Sequence, residues 1–225
     1  MGLRGRILVR LGKFAEAEKC FDLLLGIEEN LLDPTARLIP HLGYVDLAWC
    51  RRDPALAERH ASHLAQIAEK HGSPYLRVFA FACSGTAKSV SGDFAAAARD
   101  FVAGLEFLRK TKAAMEYEPE ILASLADCQY ISDEPGRAIE IAKEAIRIAQ
   151  QRNARLPECR ASITFGEALI AESGVSAVDE AEALFGRAEE LIRVTGACIY
   201  EPLLARARER ASVNGRPSRV CGPAT

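Results

Sequence analysis

Residues 91–110, SGDFAAAARDFVAGLEFLRK, carry the reading from which the rest of the chain follows. Ser91-Gly92-Asp93 reads as a turn, and after it Phe94, Ala97, Ala98, Phe101, Leu105 and Leu108 recur at steps of 3, 1, 3, 4 and 3. Those steps place all six on one stripe of a 3.6-residue helix. Within the stripe, Ala97, Phe101 and Gly104 form a small-x3-large-x2-small pattern that has four degenerate counterparts. They are Ala17/Phe21/Leu24, Ala57/Ala61/Leu64, Ala138/Ala142/Ala145 and Ala181/Phe185/Ala188. The leading alanines stand 40, 40, 41 and 43 residues apart. Self-similarity at such a period marks a stack of repeats, each burying its apolar face against the next.

The bulk composition agrees. Of the 225 residues 49% are hydrophobic and 27% charged, the balance of a folded, water-soluble chain. A formal net charge of -2 offers no global attraction to nucleic acid or to anionic lipid, so neither is expected as a partner. No window has the length of uncharged apolar sequence that spans a bilayer, and the N-terminal run is too short and too charged for a secretion signal. The seven cysteines are scattered without a Cys-x-x-Cys pair, which reads as small buried thiols in a reducing cytoplasm.

Helix boundaries follow from caps. Asp33-Pro34, Asp53-Pro54 and Ser73-Pro74 each set a capping residue before a proline at the first helical position. Pro40, inside the helix expected from Pro34 to about Arg52, suggests a bend or a late start. The pattern predicts a short first hairpin, four further helical pairs and a closing helix to about Val213. The short first helix, without a polar capping repeat ahead of it, suggests a piece of a longer parent chain. The expected fold is all-α, a right-handed superhelix of antiparallel hairpins over residues 1–213, with a disordered tail at 214–225.

A turn glycine shortly before Ala-x3-Phe/Ala-x2-Ala, as at Gly12, Gly92 and Gly136, resembles the second-helix signature of tetratricopeptide repeats. The 40- to 43-residue period, longer than the usual 34, is similar to the variant in large bacterial regulators of the MalT type. Residues 72–212 also resemble the C-terminal repeats of bacterial signalling proteins that carry a class III adenylate cyclase domain and an AAA-type ATPase domain. The carriers are Gly-Ser-Pro at 72–74, Gly-Asp-Phe at 92–94, Glu-Pro-Gly-Arg-Ala at 134–138 and Glu-Pro-Leu-Leu-Ala-Arg at 201–206. The resemblance implies a regulatory or scaffolding part, with the catalytic and nucleotide-binding parts lying outside these residues.

No constellation for catalysis stands out. Gly85-Thr86-Ala87-Lys88-Ser89 lacks the Gly-x4-Gly-Lys arrangement that cradles phosphates and falls within a helical stripe. His60, His63 and His71 lack further ligands at metal spacing and read as solvated surface residues. Trp49 reads as core. The basic residues near the ends (Arg4, Arg6, Arg10 and Lys13; Arg206, Arg208, Arg210, Arg216 and Arg219) read as solvated caps. No cofactor is expected. The chain is expected to be a non-catalytic protein-interaction scaffold, taking a protein or peptide on the concave face lined by the leading helices. By register, that face is assigned Asp46, Arg77, Lys88, Glu120, Asp127, Arg160 and Glu167. A small-molecule-sensing effector domain is the alternative.

Overall fold

The computed structural model describes residues 1–27 and 33–214, so the tail expected at 214–225 lies outside the described residues except for Asn214, which ends the last helix. Among the described residues eleven α-helices follow one another: α1 (Gly2–Arg10), α2 (Phe14–Leu25), α3 (Pro34–Arg51), α4 (Pro54–His71), α5 (Pro74–Val90) and α6 (Phe94–Thr111). After them come α7 (Glu118–Ile131), α8 (Pro135–Gln151), α9 (Arg155–Ser173), α10 (Val178–Thr195) and α11 (Glu201–Asn214). Short 3-10 turns precede α7, α10 and α11. Consecutive helices pack as antiparallel pairs, α1 with α2 through α9 with α10, and α11 closes the stack. The leading helices α1, α3, α5, α7 and α9 also touch one another in sequence and form an inner layer. This is a TPR-like all-α stack. Among the described residues no helix is long and apolar enough to cross a membrane.

The caps act where the sequence placed them. Asp33, Asp53, Ser73 and Asp93 each accept a hydrogen bond from a backbone N–H of the first helical turn. Pro40 neither delays nor divides α3, which is one helix from Pro34 to Arg51. The period is also written in the backbone. Positive-φ residues within the hairpins fall at Gly12, Arg52, Gly92, Asp133 and Gly174, and between hairpins at Gly72, Lys112, Ala114, Asn153 and Gly196. Gly136, read as a turn glycine, instead lies inside α8, and Asp133 takes the left-handed position three residues earlier. An aspartate tolerates that conformation better than most side chains.

Packing explains the repeated pattern. The five leading alanines, Ala17, Ala57, Ala97, Ala138 and Ala181, all have 0% exposure, because each lies where two helices of a hairpin cross. Phe21, Phe101 and Phe185, four residues on, are at most 2% exposed and project into holes left by glycines of the leading helices. A Cβ built on Gly5 or Gly43 would lie under 3.0 Å from the ring of Phe21, one on Gly85 equally close to Phe101, and one on Gly166 to Phe185. In the second and fourth hairpins the phenylalanine is replaced by Ala61 and Ala142. At the corresponding leading-helix positions, Val45 and Ala126 replace the glycine and are buried. Knob and hole shrink together.

His60 corrects the surface reading of the histidines. It is buried in α4 beneath Tyr44, with ring centroids 4.3 Å apart, and its Nδ1 lies 2.9 Å from Nδ1 of His41. Burial, aided by nearby His41, His63 and Arg59, lowers its pKa to about 4. An unfolded histidine titrates near 6.5, so the unfolded chain binds the extra proton first as pH falls. The stabilisation from a neutral His60 is therefore complete above about pH 6.5 and is lost as pH falls through about 4. Urea midpoints measured from pH 7 to pH 4 should decline across this window, and less steeply in His60→Leu. Parallel declines in both proteins would show that His60 does not set the slope.

Candidate functional site

The inner layer converges on one small cavity of about 60 Å³, lined by residues of all five leading helices. Its walls are charged and tightly bonded. Arg6 of α1 donates from Nε to Asp46 of α3 at 2.9 Å, so it is an interior residue and not a solvated cap. Arg160 of α9 donates to Asp127 of α7 at 2.6 Å and to Ser124 Oγ at 2.8 Å, with Glu120 at 3.5 Å. Thr164 donates to the other oxygen of Asp127. Burial alone would push the Arg6 and Arg160 guanidiniums down. Asp46 outweighs it for Arg6, as Asp127 and Glu120 do for Arg160, and both net shifts are upward.

The first hairpins and the last described elements meet here. The Arg160 guanidinium lies over Trp49 of α3, 4.8 Å from the ring centroid, and Trp49 meets Tyr200 edge-on at 6.2 Å. Cys198 Sγ lies 3.7 Å from the Arg10 carbonyl, across 188 residues of sequence. Trp49 therefore sits in the seam where the first hairpins meet the last. Its neighbour Cys50 has its thiol pushed up to about 12 by burial, which leaves it protonated and unreactive. Cys128 and Cys159 are shifted to a similar value, also chiefly by burial.

Beyond Arg160 and Trp49 the seam opens into a groove of about 1090 Å³. Phe14, Phe94, Ile131 and Leu203 give it apolar walls, while Arg52, Arg206 and Arg210 bring charge to it. Every hairpin and α11 contribute. Glu167 accepts from Arg210 at 2.7 Å, yet burial raises its carboxyl pKa to about 7 against the pull of Arg210, with Asp127 adding to the rise.

Of the seven residues assigned by register, Asp46, Glu120, Asp127, Arg160 and Glu167 line the cavity or the groove. Arg77 and Lys88 do not. Arg77 is exposed over Phe107 of α6, 5.4 Å from its centroid, and Lys88 pairs with Asp100 of α6 at 2.6 Å. A stripe on α5 follows register, but its flanks turn toward α6. The sequence reading missed Trp49, Arg52, Phe94, Ile131 and Leu203 as groove residues. Ile131 carried the one usable signal, a large aliphatic side chain at the end of a leading helix; it is 54% exposed. Among the described residues no group of three or more His, Cys, Asp or Glu is placed to hold a metal ion.

The fold is that of a TPR-like helical-repeat protein. Among solved structures it is similar to Bacillus thuringiensis PlcR in complex with the peptide PapR7 and DNA, with a TM-score of 0.73. The match covers 90% of this chain and 72% of that one, at 14% sequence identity, a likeness of fold. No protein-family model matches the sequence, and no curated protein matches it. The PlcR complex overturns the expectation that nucleic acid is excluded as a partner, since a protein of this fold has been crystallised with DNA. A net charge summed over the whole chain is silent about local patches and so was never a sound ground for that exclusion.

Proposed function

We propose that this chain is a regulatory helical-repeat domain that binds an extended protein segment or peptide in the groove where its first and last hairpins meet. The observation that carries the reading is the groove itself, about 1090 Å³ with apolar and charged walls drawn from every hairpin. That volume exceeds the roughly 300–1,000 Å³ of most small-molecule sites. The smaller cavity, at about 60 Å³, has room for only a few waters, which sets the small-molecule-sensing alternative behind. PlcR, similar in fold, was crystallised with the peptide PapR7, an occupant of the proposed kind. The resemblance of residues 72–212 to repeats of cyclase-type signalling proteins supports a non-catalytic, regulatory part of a longer bacterial protein working in the cytoplasm. Within this reading Asp127, Arg160 and Glu167 shape the groove floor, and Asp46 and Glu120 hold the network beneath it.

The immobilised chain should retain peptides saturably from a randomised heptapeptide library. Retention should be lost when Ile131 and Leu203 are both replaced by glutamate. Circular dichroism would check that this variant stays folded. A folded wild-type chain that retains no peptide overturns the reading.

A further inference from the structure

The groove differs in charge from the chain around it. The chain as a whole is net negative, but the groove is lined by four guanidiniums, those of Arg52, Arg160, Arg206 and Arg210, against the two carboxylates of Asp127 and Glu167. Those carboxylates are already engaged. Asp127 is bound by Arg160 and Thr164, and Glu167 by Arg210. Arg52 and Arg206 are exposed, and among the described residues neither guanidinium donates a hydrogen bond or lies within 4.0 Å of a carboxylate, although the Arg206 charge is felt at Glu167. They also stand on opposite sides of the seam. Arg52 is the left-handed cap of α3, and Arg206 projects from α11. Trp49, Phe94, Ile131 and Leu203 line the same groove.

Building on the peptide reading, we infer that the occupant is a short acidic peptide: its carboxylate pairs with Arg52 or Arg206, and its aliphatic or aromatic side chains cover the exposed apolar wall. Guanidinium groups are weakly hydrated and pair bidentately with carboxylates, so two exposed ones outside any close ion pair and beside apolar surface select for an anionic, partly apolar ligand. Glu167, with its carboxyl raised to about 7, is partly neutral near physiological pH and opposes such a ligand less than a full charge would. A nucleic acid strand fits less well, because it carries a charge on every phosphate and needs a continuous cationic track. A ligand in this position touches both sides of the seam at once and ties the ends of the stack together.

The test is the composition of what the groove retains. A library with all residue types equally represented is passed over the immobilised chain, and the bound peptides are sequenced by mass spectrometry. The bound pool should be enriched in Asp and Glu together with Phe, Leu and Ile. The selected peptide should change the fluorescence of Trp49, the single tryptophan. Its affinity should fall by at least about tenfold in Arg52→Glu/Arg206→Glu. Because both arginines are exposed, that variant is expected to fold, and circular dichroism would verify it. A bound pool without acidic enrichment, or one rich in Lys and Arg, overturns this inference and leaves the peptide reading standing. Absence of any bound peptide overturns the peptide reading as well. Displacement of the pool by a mixed-sequence oligonucleotide that the double variant no longer binds would assign the arginines to nucleic acid instead.

Discussion

Phe185→Ala is expected to lower the unfolding free energy by about 4 kcal/mol, read from urea denaturation. Phe185 has 0% exposure and fills the space over Gly166, so truncation leaves a hole ringed by two helix backbones that cannot close upon it. Gly166→Ala should also destabilise, by about 1–3 kcal/mol, because its new methyl meets the ring. That sign is diagnostic, since intrinsic helix propensity alone favours alanine over glycine by about 1 kcal/mol. Combined, the two substitutions should cost less than their sum, the new methyl occupying part of the vacated space. A neutral or stabilising Gly166→Ala would refute the knob-and-hole account.

Arg160→Met is the second large effect, expected to cost about 3 kcal/mol. The Arg160 side chain is 11% exposed, and without it the carboxylates of Asp127 and Glu120 face each other and the cavity with no cation between them. The same change uncovers Trp49, so the native emission should shift to the red. Adding Asp127→Asn and Glu120→Gln to Arg160→Met should restore part of the loss, because the stranded charges are then gone. A loss below about 1 kcal/mol would mean that solvent already screens the network as it does a surface pair.

The repeat was legible because it is local. Helical stripes, caps and the small-large-small pattern are set within twenty residues, and each is enforced by backbone geometry. The charged interior was legible only in part. Register on the leading helices selected Asp46, Glu120, Asp127, Arg160 and Glu167, yet it could not say that Arg6 binds Asp46 or that Arg160 lies on Trp49. Those pairs depend on how far each hairpin rotates against the last, a quantity that accumulates over many small packing contacts. The same limit applied to Arg77 and Lys88, whose helix face lies next to α6. His60 was misread for a related reason. A polar residue on an exposed-looking stripe is buried when its neighbour, here His41 on α3, offers it a bond.

The contact of Arg10 with Cys198, with Leu11 packed where a side chain on Gly196 would stand, has a consequence for the chain's evolution. In an open solenoid a repeat can be gained or lost with little change at either end, because each unit answers only to its neighbours. Here the angular advance of five hairpins brings the first against the last. A chain one hairpin longer or shorter would carry its ends past each other or leave them apart, and Trp49 would lose Tyr200 and Arg160 together. Duplication, the ordinary way such proteins grow, is thereby penalised, and variation is directed into the connecting loops and the groove walls.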